Sequence, residues 1–212
     1  MNNLESIYAE RPAAAEFADG YLGYLSEILA KLDRGQIAAF IDALLDTQRR
    51  GATVYFLGNG GSAATASHFQ NDLTRWRENP MRVVSLTDNV AVLTAIGNDH
   101  GYEQIFRMQL ENLLLPGDLV VAISVSGNSP NVIQAMEYAT SKGATTVGLT
   151  GFDGGRLAAM VDINVHAPTL PGEYGPAEDV HLILDHLIGS FLWEWCVAQA
   201  RELDATKPTT SA

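Results

Sequence analysis

The chain has 212 residues, 47% of them hydrophobic and 18% charged, which supplies apolar material for a packed core and excludes a disordered chain. Its 25 acidic residues against 13 basic ones give a net charge of −12, which speaks against general binding of nucleic acid or docking on anionic membranes, since both need a basic face. One cysteine, Cys196, excludes an internal disulfide and a Cys/His zinc cluster, and points to a reducing compartment. It lies in an apolar run and reads as a buried, inert thiol. The N-terminus lacks the basic and apolar regions of a signal peptide, and no apolar stretch approaches the ~20 residues of a membrane span. The expectation is a soluble, cytoplasmic protein.

In chain order, residues 13–50 carry helical periodicity. Phe17, Tyr21, Tyr24, Leu25, Ile28 and Leu29 recur at three- and four-residue steps. Asp33-Arg34-Gly35 breaks the run, and a second helix follows with Ile37, Phe40, Ile41 and Leu44 on one side. After Gly51 short β-rich runs appear at 53–57, 82–86, 119–125, 145–149 and 162–165. Helix-length segments separate them at 63–76, 90–96 with 103–115, 130–142 and 156–160, and a long helix closes the chain from about 177 to 203. Alternating strands and helices with continuously apolar strands predict an α/β fold, a parallel sheet covered on both faces. One domain is expected over 1–212: a helical extension at 1–50, an α/β core at 51–205 and a disordered tail at 206–212.

Ligands of open parallel sheets bind where strands run into the following helices. After the first strand comes Gly58-Asn59-Gly60-Gly61-Ser62-Ala63. Glycines allow close backbone approach there, and the next helix presents its N-terminus to an anion. The same segment fits a loose dinucleotide fingerprint, with Asp88 as the ribose acid, and it also fits a plain strand-to-helix turn. After the third strand comes Ser124-Val125-Ser126-Gly127-Asn128-Ser129-Pro130. Three serines around a glycine, with proline at the first helical turn, form a neutral anion cradle. Helix capping by Ser129 accounts for one of these serines and not for three.

Two helices carry titratable groups. His68 and Asp72 stand four apart, about 40° around a helix and so on one face. Glu178, Asp179, His181, Asp185 and His186 crowd nine residues of the last helix, just before an apolar stretch. Asp179 lies about 20° from His186 around that helix and rivals Glu178 as its partner. His181 reads as a supporting or interface residue, and His100 and His166 as loop residues.

Four ordered motifs, Gly58–Ser62, Leu93–Asp99, Ile123–Asn131 and Gly148–Gly155, together resemble the sugar-isomerase (SIS) domain family, and within it the bacterial phosphoheptose isomerases. The resemblance covers nearly the whole chain. It implies a flavodoxin-like, three-layer fold with a five-stranded parallel sheet, a homotetramer with sites at subunit interfaces, and aldose–ketose isomerisation of sedoheptulose 7-phosphate. It further implies a phosphate and substrate site at Asn59, Gly60, Ser62, Asp88, Asn89, Ser124, Ser126, Asn128 and Ser129. Asp72 becomes the base and His186 the acid, and the set His68, Asp72, Glu178 and His186 matches residues that hold zinc in some members. Two histidines and two carboxylates suit that ion, although four ligands would close the site.

This sequence departs from the family in several places. Asp72 stands for a glutamate and Glu178 for a glutamine, which leaves either one open as the base. Val125 replaces a threonine of the serine loop, Asn89 aligns with a substrate-binding aspartate, and Trp76, between Arg75 and Arg77, replaces an arginine. The segment from Glu173 to Asp179 is also unlike the family's. Two other readings belong to other classes: a non-catalytic SIS protein that binds a sugar phosphate or a replication initiator, and a dinucleotide-dependent enzyme built on residues 58–63. The two-histidine, two-carboxylate set favours an enzyme.

Overall fold

The strands alternate their side chains between two separate apolar layers. Val54, Phe56, Val121, Ile123, Val147 and Leu149 enter one, while Tyr55, Leu57, Val120 and Ala122 enter the other. A strand buried on both faces is what a parallel sheet with helices above and below requires. The computed structural model describes residues 1–75 and 80–205, with the side chains of 200 and 202–205 left aside. The strands are β1 (Thr53–Gly58), β2 (Arg82–Ser85), β3 (Leu119–Ser124), β4 (Thr145–Thr150) and β5 (Ile163–His166). All pair in parallel in the order β2-β1-β3-β4-β5. This is the flavodoxin-like order, whose direction reverses between β1 and β3. Both glycine- and serine-rich loops leave the sheet at that reversal.

The helices are α1 (Asn3–Glu10), α2 (Ala14–Lys31), α3 (Arg34–Arg49), α4 (Gly61–Thr74), α5 (Val90–His100), α6 (Arg107–Leu113), α7 (Pro130–Ser141), α8 (Gly155–Met160) and α9 (Tyr174–Ala205). Helices α3, α4 and α9 supply one layer through Phe40, Leu44, Phe69, Leu73, Val180, Leu184 and Ile188. Phe69 stacks on Phe56 of β1 with centroids 4.7 Å apart, and that contact seats α4 on the sheet. Cys196 packs half-buried against this layer.

The structure corrects the sequence reading at three places. A helix precedes the two expected ones: α1 starts on a reciprocal cap in which Asn2 Oδ1 accepts the Glu5 N–H and Glu5 accepts that of Asn2, each at 2.9 Å. The segment expected as one helix over 103–115 divides into a 3-10 turn at Tyr102–Gln104 and α6, after Gly101 at φ 95°. Helix α3 belongs to the core rather than to an extension, because Phe40 and Leu44 are fully buried. The expected break at Asp33 is a cap, its Oδ1 accepting the N–H groups of Gly35 and Gln36. Trp76, Arg77 and the expected tail at 206–212 lie outside the described residues.

Glu173 fixes the N-terminal helices to the start of α9. Its side chain is wholly buried and accepts from the Asn3 N–H at 2.6 Å, the Tyr24 hydroxyl at 2.6 Å and the Leu170 N–H at 2.7 Å. These bonds give a physical role to the segment that departs from the family pattern. Removing the buried carboxylate leaves three part-buried donors without their acceptor, so Glu173→Ala is expected to lower unfolding free energy by about 2 kcal/mol in urea titration.

Candidate active site

The two loops at the sheet reversal form one small pocket of about 120 Å³, lined by Asn59, Ser62, Ser124, Ser126, Ser129, Tyr174 and Glu178 among others. Ser129 stands at the N-cap of α7, yet its side chain makes no cap hydrogen bond. It turns instead toward Ser124, with the two hydroxyl oxygens 3.5 Å apart, which argues for the cradle over capping. Ser62 and Ser124 are each 5% exposed, so an anion there would meet hydroxyls and two helix N-termini in partial shelter from water. Among the described residues, no lysine or arginine lines the pocket.

Glycines make this packing feasible. Gly60 starts α4 at φ 55°, and a Cβ at Gly58 would stand 2.9 Å from the Ile123 carbonyl. Gly127 lies against Gly154 and Gly155 with no room for a side chain, and its carbonyl accepts the Leu157 N–H at 2.9 Å. The Gly148–Gly155 motif therefore supports the serine loop from behind. Asn59 and Asn131 exchange amide hydrogen bonds of 2.9 and 2.8 Å, tying the two loops together. Asn131, which the sequence reading left out of the site, is buried; its place in the Asn-Ser-Pro-Asn run was the available signal.

Other predicted residues are occupied elsewhere. Asn128 spends its side chain on the Ser126 carbonyl (2.9 Å) and the Arg156 N–H (3.1 Å), and Asn89 caps α5 through the Val92 N–H. Asp88 accepts from the hydroxyls of Ser67, Ser85 and Thr87, so the ribose-acid role finds its carboxylate already engaged.

Two turns further along, α4 and α9 bring a second group together. His68, Asp72, Asp185 and His186 each offer a ligand atom, and these atoms all lie within 4.8 Å of one another. The Nε2 atoms of His68 and His186 face each other at 3.3 Å. His68 Nε2 is 3.5 Å from Asp72 Oδ2 and 3.8 Å from Asp185 Oδ2. Asp72 Oδ1 is held by Arg75 at 2.6 Å and Asn71 at 2.8 Å. A solvent-facing groove of about 610 Å³ runs beside the group, lined by Asp72, Arg75, His186, Ser190 and Trp193 among others.

Glu178 is not in this group. It stands two helical turns, about 12 Å, before His186, and lies against Gly61 at the head of α4, where a Cβ would collide with its carboxylate. Asp185 fills the place the resemblance gave to Glu178. Asp179, the other rival, is taken by the Tyr21 hydroxyl at 2.5 Å. Burial first, then the neighbouring Asp179, raises the Glu178 carboxyl above its usual range. Burial, with the charge of Asp72 adding to it, pushes Asp185 up to about 7. Both Asp185 oxygens are buried without a hydrogen-bond partner. A buried, unpaired carboxylate beside two imidazoles is a donor set that a divalent cation would satisfy.

The SIS domain family matches residues 16–151. Phosphoheptose isomerase from Trichlorobacter lovleyi is 41% identical over 155 residues, covering 72% of this chain and 78% of that protein. The chain belongs to the SIS domain family, among the phosphoheptose isomerases. The enzyme of that name from Nitratidesulfovibrio vulgaris is 40% identical over 171 residues, covering 76% of this chain and 80% of its own. The solved structure of phosphoheptose isomerase GmhA from Neisseria gonorrhoeae superposes with a TM-score of 0.77 at 32% identity, covering 88% of this chain and 99% of that one.

In this SIS domain the first histidine of α9, His181, is structural. It is fully buried and its Nε2 donates to the Thr150 carbonyl at 3.2 Å, while burial lowers its pKa from 6.5 to about 4. Between those values the unfolded chain binds a proton that the folded chain refuses, so stability falls as pH drops through that window. Relative to His181→Gln, the wild-type protein is expected to lose about 3 kcal/mol between pH 7 and pH 4, measured by denaturant unfolding at each pH.

Proposed function

We propose that this chain is an aldose–ketose isomerase acting on a phosphorylated sugar, sedoheptulose 7-phosphate, which it converts to D-glycero-D-manno-heptose 7-phosphate. One observation carries the reading. The anion pocket and the His/carboxylate group lie on the same helix pair, two turns or about 11 Å apart, a span comparable with an extended seven-carbon sugar phosphate. The relatives named phosphoheptose isomerase support the same substrate.

Ser62, Ser124, Ser126 and Ser129 hold the phosphate, and Tyr174 and Glu178 face the hydroxyl-bearing carbons next to it. At the other end Asp72 is the base. With Oδ1 held by Arg75 and Asn71, Oδ2 is the oxygen left for the substrate. It takes a proton from C1 of the ketose while O2 gains one, giving the enediol. The proton returns at C2, and O1 releases its own as the aldehyde forms. Glu178 lies at the phosphate end, too far along the helix for this step. His186 carries the oxygen proton when its Nε2 is free. A divalent ion such as zinc, held by His68, His186 and a carboxylate of that group, would supply a Lewis acid at the same oxygens.

Homotetramer assembly, with the sites at subunit interfaces, is part of this proposal. The exposed side of α9 supports it, since Leu187 and Phe191 stand together there, one turn apart, and exposed apolar surface of this kind favours a partner. Among the described residues no helix is long and apolar enough to cross a membrane.

The test is turnover of sedoheptulose 7-phosphate by the purified protein. Asp72→Asn is expected to lower kcat about 10²- to 10⁴-fold, whereas Ser124→Ala with Ser129→Ala is expected chiefly to raise KM. A folded wild-type protein without turnover would contradict the proposal and favour a binding role.

A further inference from the structure

Two carboxylates reach the histidine pair, and their surroundings differ in a way that divides their work. Asp72 lines the open groove and has one oxygen neutralised by Arg75. Asp185 is wholly buried, cannot touch a substrate, and has both oxygens without a hydrogen-bond partner. Its approach to His68 Nε2, 3.8 Å, is too long for a hydrogen bond. The 3.3 Å between the two Nε2 atoms matches the separation of two nitrogens on one tetrahedral zinc, about 3.3 Å for bonds of about 2.0–2.1 Å.

Resting on the site reading given above, we propose that Asp185 is the carboxylate ligand that holds a divalent cation with His68 and His186, leaving Asp72 to act on the substrate. Three protein ligands leave a coordination position open, as a catalytic site requires, whereas a fourth would close it. The assignment removes Glu178 from the metal and gives it to the sugar. It also explains why an acid is tolerated among Val180, Leu184 and Ile188 on the buried side of α9: the ion supplies the partner that protein groups do not.

Zinc affinity, measured by competition with a chromophoric chelator, separates the residues without reference to activity. Wild-type protein is expected to bind one zinc per chain. Asp185→Asn should weaken binding at least about 10-fold, while Asp72→Asn and Glu178→Gln stay within about threefold. Asp185→Asn should melt no lower than wild type in chelator, since it removes a buried charge, and should lose the rise that zinc gives the wild type. Asp185→Cys keeps the assignment testable should the amide disturb folding: loaded with cobalt(II), it should show a thiolate-to-cobalt charge-transfer band that the wild type lacks. Wild-type affinity in Asp185→Asn, an equal loss in Asp72→Asn, no such band in Asp185→Cys, or no zinc uptake by the wild type would each overturn the assignment. Zinc uptake that follows this pattern without turnover of sedoheptulose 7-phosphate would support it and overturn the isomerase reading. Turnover without zinc uptake would do the reverse.

Discussion

The site depends on how α4 and α9 lie against each other. Both bury an apolar stripe in the same layer, Ala66, Phe69 and Leu73 from α4 and Ala177, Val180, Leu184, Ile188 and Leu192 from α9. They run parallel and in step, with Gly61 beside Glu178 and, seven residues later on each helix, His68 beside Asp185. Seven residues make almost two turns, so the same faces meet twice. The first meeting stands at the mouth of the serine loop and the second beside the open groove. Gly61 is what allows the closest approach, because any side chain there would displace the Glu178 carboxylate.

From this follows an answer to the charge of −12. A strongly acidic protein gains no long-range attraction for a sugar phosphate, so the pocket proposed for the phosphate would work at short range through hydroxyls and helix N-termini. The pocket includes one carboxylate, Glu178, whose raised pKa reflects its shelter from water. Acidic groups are gathered two turns away, around the paired imidazoles, where a cation rather than an anion is the fitting ligand. The negative charge is thus sorted along the helix pair, with the phosphate end left mostly neutral.

Much of this was legible in the sequence, and the limits have physical causes. Short β-rich runs located all five strands to within a residue at each end, most plainly β1, β3 and β4, since burial on both faces leaves continuous apolar runs. Three serines in one loop suggested a cradle, and the Ser129 side chain meets Ser124 rather than capping α7. Helix α1 was missed because its signal is a cap formed by asparagine rather than serine or threonine, ahead of a short stretch with little apolar periodicity. Glu178 was taken over Asp185 on the family resemblance, and helical spacing could not amend that because it orders residues around one axis only. Which carboxylate meets His68 is decided by the height of α4 beside α9, set by the Phe56–Phe69 stack and the loop from β1. Glu173 was noticed as a departure, but its partners lie some 150 to 170 residues away in the chain, and local pattern carries no trace of them.

In the proposed reaction, phosphate and reacting carbons occupy opposite ends of the helix pair. A crystal structure of the Asp72→Asn protein with sedoheptulose 7-phosphate bound measures it directly. Phosphorus is expected among the hydroxyls of Ser62, Ser124, Ser126 and Ser129, with C1 and C2 beside residue 72 and His186. A phosphate seated on His68 and His186, or C1 and C2 lying next to Glu178, would contradict it.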